Sequence, residues 1–63
     1  MQTKLLRIRQ VQEATGRSRS SIYIGIRDGT FPLPVRVGAR AIAWHAHEVA
    51  AWIESRPRAG ADA

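Results

Sequence analysis

Two prolines flanking one leucine, in Phe31-Pro32-Leu33-Pro34, constrain this chain more than any other feature. Each ring fixes its own φ, removes a backbone donor and pushes the preceding residue towards extended backbone. No helix can run through such a segment, so the chain divides into two halves that must be built separately. The two halves carry different patterns. Before the prolines the apolar residues recur at helical spacing, and directly after them they alternate.

In the first half, Leu5-Leu6-Arg7-Ile8 is a short apolar run that fits an edge strand or the lead-in to a helix. Ile8, Val11 and Ala14 recur every three residues, which predicts a short helix of about two turns over Arg9 to Thr15, stopped by Gly16. Ser18 is a good N-cap for a second helix over Arg19 to Asp28, with Ile22 and Ile26 as its apolar stripe and Gly29 at its end. Gly25 within that helix costs about 1 kcal/mol relative to Ala. It implies close packing against another backbone or a weak second half. Two short helices joined by Gly16-Arg17-Ser18 form a helix-turn-helix pattern.

In the second half, Val35-Arg36-Val37 and Ala41-Ile42-Ala43-Trp44 flank Gly38-Ala39-Arg40 and read as a hairpin. Alternation makes Val35, Val37, Ile42 and Trp44 the apolar candidates and leaves Arg36 and Arg40 free to point outward. Gly38 is expected to supply the φ freedom of the turn. A third helix is predicted from His45 to Ser55, with Val49, Trp52 and Ile53 on one face and Pro57 ending it. The predicted fold is α+β, mostly α: a small winged helix made of a helix-turn-helix, a β-hairpin wing and a C-terminal helix. It is expected to span residues 1–56, with 57–63 as a flexible tail.

At 63 residues, a single domain buries only about 60% of its unfolded surface, which leaves little room for an enclosed active site. The absence of cysteine removes disulfides, thiolate zinc sites and thiol nucleophiles. After Met1-Gln2-Thr3-Lys4 only Leu5 and Leu6 are consecutively apolar, shorter than a signal peptide or membrane span requires. A cytoplasmic protein is the expectation. Ten basic residues against five acidic ones give a net charge of +5, and nine of the ten are Arg. The arginine fork matches phosphate oxygens and guanine edges, so the basic excess points to nucleic acid.

If Ile22 and Ile26 face inward, Arg19, Ser20, Tyr23 and Arg27 reach outward from the second helix. Arg pairs with guanine or phosphate, Ser donates to either, and Tyr adds a ring with a hydroxyl. Ser18 stands at the helix N-terminus, where free N–H groups face phosphate. Ser18 can also act only as a cap, and Tyr23 as a half-buried core aromatic. Arg40, at the hairpin tip between small residues, is a second basic element suited to a phosphate or a minor groove.

Other chemistry finds little support. His45 and His47 stand at i, i+2, pointing apart on a helix, with no partner set for a metal. No nucleophile and base stand at recognisable spacing, and no glycine run opens a phosphate-cradling loop. Neither an enzyme nor a cofactor is expected.

Several segments together then resemble a known family. They are Ile8-Arg9-Gln10-Val11, Thr15-Gly16, Ser18-Arg19-Ser20-Ser21-Ile22-Tyr23, Gly29, Phe31-Pro32, Val37-Gly38-Ala39-Arg40-Ala41-Ile42-Ala43-Trp44, Glu48-Val49 and Ala51-Trp52-Ile53. In sequence and order they resemble the AlpA family, which is similar to phage excisionases and, more distantly, to MerR-type winged-helix heads. The resemblance covers about residues 5 to 55. It implies a small prophage or mobile-element regulator that binds double-stranded DNA at an operator or attachment site, as transcriptional regulator or excisionase. It also implies integrase or neighbouring copies of itself as partners. On this resemblance the second helix enters the major groove with Arg19, Ser20, Tyr23 and Arg27, Arg40 is the wing contact, and Phe31, Trp44 and Trp52 belong to the core. Three positions depart from the family pattern: Arg17 stands where an apolar residue is usual, Ile24 where a basic one is frequent, and Gly25 where a larger one is usual. A basic adaptor for an acidic protein partner is the alternative reading. It accounts for the charge and Ile24, but not for arginines on two separate projecting elements.

Overall fold

A computed structural model describes residues 4–60 of the chain. Its order is β1 (Leu5–Leu6), α1 (Ile8–Thr15), α2 (Arg19–Asp28), β2 (Val35–Gly38), β3 (Ala41–His45) and α3 (Ala46–Glu54). The strands form one antiparallel sheet in the order β1-β3-β2. Three helices with this small sheet make the α+β winged-helix arrangement that the sequence predicts. The expected tail reaches past the described residues at Ala61-Asp62-Ala63, and Met1-Gln2-Thr3 also lies outside them.

The core cluster takes one buried residue from each helix, one from the connector and one from β3: Val11 of α1, Ile22 of α2, Phe31 of the connector, Trp44 of β3 and Val49 of α3. Leu6, Ile8, Ile26, Ile42 and Trp52 pack against it. Each element is too short to be stable alone, and tertiary packing supplies what propensity cannot. Among the described residues no polar or charged side chain is buried, so every charge faces water.

The helix-turn-helix is fixed by its ends. Gly16 takes a left-handed φ of 73°, and its N–H donates to the Gln12 carbonyl at 2.8 Å. Ser18 Oγ accepts from the Ser21 N–H at 3.1 Å, the N-cap bond the sequence predicts. At the far end of α2, Gly29 has a φ of 79°. The Thr30 N–H returns to the Gly25 carbonyl at 2.8 Å and the Gly29 N–H to that of Ile26 at 3.3 Å, a Schellman closure. Gly25 packs closely as expected, but against a side chain rather than a backbone: a Cβ there would lie 2.9 Å from Phe31 Cβ.

The connector that follows has carbonyls but few partners in regular structure, and the two tryptophans supply them. Trp52 Nε1–H donates to the Thr30 carbonyl at 2.8 Å, and Trp44 Nε1–H to that of Pro32 at 3.0 Å. Both indoles thus satisfy their own donor while holding down the chain reversal between helices and sheet.

Of the two readings of Leu5-Leu6, the edge strand is the one that forms, pairing Leu5 with His45 and Leu6 with Trp44. Several other expectations are corrected. Ala14 is exposed, because α1 rests on the core through Val11 and Ile8 alone. In the hairpin, Arg36 pairs with Ile42 but Gly38 pairs with Ala41, so Val37 is an extra residue on β2. This bulge breaks the alternation. Val35 shares a face with Ala43 rather than with Ile42 and Trp44, and Val37 is 42% exposed. Gly38 does not take a positive φ. Its lack of a side chain instead permits close pairing, since a Cβ would meet Ala41 Cβ at 3.3 Å. In α3, Val49 is buried and Trp52 half-buried, but Ile53 is exposed. His45 is the last residue of β3 and the N-cap of α3, so helical geometry does not separate it from His47; the two rings lie 5.3 Å apart.

Candidate nucleic-acid interface

With Ile22 fully buried and Gly25 against Phe31, the rotation of α2 is fixed. At about 100° per residue, Ser20, Ile24 and Arg27 then fall on the side opposite Ile22 and form one outward row. Arg19 and Tyr23 lie together on its flank, with the Arg19 guanidinium 5.6 Å from the Tyr23 ring centroid. Tyr23 is 37% exposed and stands outside the core cluster. The ring therefore offers an edge and a hydroxyl to solvent while steadying the arginine beside it.

Arg27 lies 3.8 Å from the adjacent Asp28, and both side chains are largely exposed. A surface pair of this kind contributes little and exchanges readily for a stronger anion. Ser18 is occupied with capping: besides accepting from Ser21 N–H, its hydroxyl donates to Ser21 Oγ at 3.0 Å. Arg40 sits in the two-residue turn between β2 and β3 and is exposed. Neighbouring Arg36 folds back, with Nη1 donating to the Ala39 carbonyl at 3.3 Å. The structure thus brings Arg19, Ser20, Tyr23 and Arg27 onto one helix surface with Ser18 at its start, and carries Arg40 on a separate projection.

The structure adds a basic group that the sequence hid. The guanidinium of Arg17, in the turn between α1 and α2, lies 5.1 Å from the Trp52 ring centroid, and that of Arg56 lies 4.3 Å from it. Arg56 is held further by Nε donating to the Trp52 carbonyl at 3.2 Å and Nη2 to Ser55 Oγ at 3.1 Å. Arg17 therefore does cover an apolar surface at the position where the family pattern places an apolar residue. It does so with a guanidinium over the indole ring. Trp52 and Arg56 are one turn apart in sequence, whereas Arg17 comes from the other half of the chain, and only its departure from the pattern pointed towards the contact.

Among the described residues no group of three or more His, Cys, Asp or Glu side chains is placed to hold a metal ion. None of the described helices is long and apolar enough to cross a membrane.

The family model described as Prophage CP4-57 regulatory protein (AlpA) matches residues 4–57. The chain belongs to the AlpA family of prophage regulatory proteins. Among curated proteins this AlpA-family chain is similar to the uncharacterized protein ORF88 of Enterobacteria phage P4. The two are 44% identical over 55 residues, an alignment that takes in 87% of this chain and 62% of that relative. The chain thus spans less than two thirds of the relative's length. No solved structure matches it. The matched region of the AlpA model runs from just before β1 to just after α3, so it takes in every element on which the surface of α2 depends.

Proposed function

We propose that this protein binds double-stranded DNA sequence-specifically, with α2 in the major groove and the β2–β3 hairpin as a wing on the flanking backbone. It acts as a regulator in a prophage or mobile element, at an operator or attachment site, as transcriptional regulator or excisionase. It does so as a cytoplasmic non-enzyme that needs no cofactor. In this reading residues 1–56 are the binding domain and 57–63 a tail. The observation that carries it is the outer surface of α2, where Ser20, Tyr23 and Arg27 are exposed beside Arg19 on a helix rigidly seated by Ile22. Those side chains supply bidentate, hydroxyl and aromatic contacts to base edges and phosphates. Arg40 adds a phosphate contact from the wing.

The test is a fluorescence-anisotropy titration of wild type and Arg19→Ala against random duplex and a library-selected site at physiological salt. Wild type is expected to prefer the selected site, and Arg19→Ala to lose about 1–3 kcal/mol of that preference. Affinity should fall with salt at a log–log slope of about −0.9 per phosphate neutralised. Equal binding to every duplex would leave only a non-specific architectural role. No binding to duplex would move the function to an acidic protein partner. An isolated footprint at a promoter separates transcriptional control from excision, which calls for protection spreading over neighbouring sites.

A further inference from the structure

Ile24 stands in the middle of the outward row of α2, one turn from Ser20 on one side and from Arg27 on the other. It is 49% exposed and belongs to neither the core cluster nor its packed rim. Local stability gives no reason for it, since a β-branched residue is a weaker helix former than Ala, Lys or Arg. Its flanks are hydrophilic and cationic, so no apolar patch on α2 continues from it. What an isolated Ile offers is shape. In a helix its χ1 is confined almost to one rotamer, so its methyl groups occupy fixed positions. The major groove presents one apolar feature that such a group can read, the C5-methyl of thymine.

We propose that Ile24 is a specificity-determining residue that packs against a thymine methyl in the major groove. The inference rests on the DNA-binding reading above and adds the base to it. Charge complementarity brings the helix to the duplex: Arg19 and Arg27 lie on the same element, and Asp28 is the single acidic residue on α2. Ser20 and Arg27 contact neighbouring positions along the groove. Ile24 rejects cytosine, which shows an amino group there and no methyl.

The experiment removes only the methyl. In a duplex selected from a random library by wild type, each thymine is replaced in turn by deoxyuridine, and binding of wild type, Ile24→Ala and Ile24→Val is measured by anisotropy. One replacement is expected to weaken wild type about fourfold, the equivalent of roughly 0.8 kcal/mol for one buried methyl. Ile24→Ala should bind thymine and deoxyuridine duplexes equally, and Ile24→Val should keep part of the discrimination. Circular dichroism is expected to show both variants folded, since the side chain is exposed. Wild type that selects a site but ignores every deoxyuridine replacement overturns the inference and leaves the DNA reading standing. So does a methyl effect that persists in Ile24→Ala. A variant that loses only binding of a second copy overturns it as well, making Ile24 a contact between protomers. If wild type selects no sequence at all, the DNA reading fails and the inference fails with it.

Discussion

The α2 helix and the β2–β3 hairpin both display exposed arginines, yet they are held in opposite ways. α2 is closed at each end by a cap, seated by a fully buried Ile22 and pressed through Gly25 against Phe31. In the hairpin only β3 reaches the core, through Ala43 and Trp44; β2 has no buried residue and bulges at Val37. The difference fits two kinds of contact. Reading a base edge by hydrogen bonds needs donors held to a fraction of an ångström, whereas attraction to phosphate falls off gently with distance. A rigid helix suits the first task, and a compliant loop suffices for the second.

Removing their common support should break the contrast most severely. Trp44 is fully buried and anchors the Pro32 carbonyl, so Trp44→Ala is expected to lose about 3–5 kcal/mol. A 63-residue chain has only on the order of 3–9 kcal/mol in total. Helix and hairpin should therefore melt together, seen as loss of the far-ultraviolet circular dichroism signal at 25 °C. A variant that kept α2 while losing the sheet would show two independent units. Next in size is a change confined to the helix side. Gly25→Ala places a Cβ 2.9 Å from Phe31 Cβ, and overpacking of about 1–3 kcal/mol should outweigh the gain of about 1 kcal/mol in helix propensity. Thermal melts are expected to show a lower Tm; a raised one would mean that Phe31 yields easily.

The smallest effect sharpens the contrast on the other side. Arg40→Ala should change stability by less than about 0.5 kcal/mol, weaken all duplexes alike and reduce the salt slope by about 1. Arg19→Ala instead should cost sequence preference. Loss of preference in Arg40→Ala would promote the wing from a phosphate contact to a reader.

The helix-turn-helix was legible because its signals are local. Ser18 as cap and Gly16 and Gly29 as stops act within a turn of chain, and α2 has the bounds Arg19–Asp28 that those signals predict. The exposed set on α2 followed from placing Ile22 inward. Pairings between distant segments were not legible. Nothing in Leu5-Leu6 says that it joins β3, because a two-residue strand exists only through its partner. The bulge at Val37 depends on how Gly38 fits against Ala41, which alternation cannot express. Arg17 and Arg56 meet on Trp52 because α3 lies across the turn. The step from Trp52 to Arg56 is a single turn, but no spacing in the chain encodes the reach from Arg17 to Trp52. His45 was read as a helical residue, yet it caps α3 from the end of a strand, which brings its ring beside that of His47.

The unburied outer strand has an evolutionary consequence. Substitutions at Arg36, Val37, Ala39 and Arg40 touch none of the five residues of the core cluster. A lineage carrying this fold can therefore let the wing drift in length, charge and shape while selection on the folded state stays silent. α2 has no such latitude on its inner side, where Ile22 and Gly25 bind any change in the helix to the survival of the whole domain. On the proposed reading, changes in the hairpin are thus expected to retune affinity, while new targets arise on the outward row of the helix, whose residues also lie outside the core cluster.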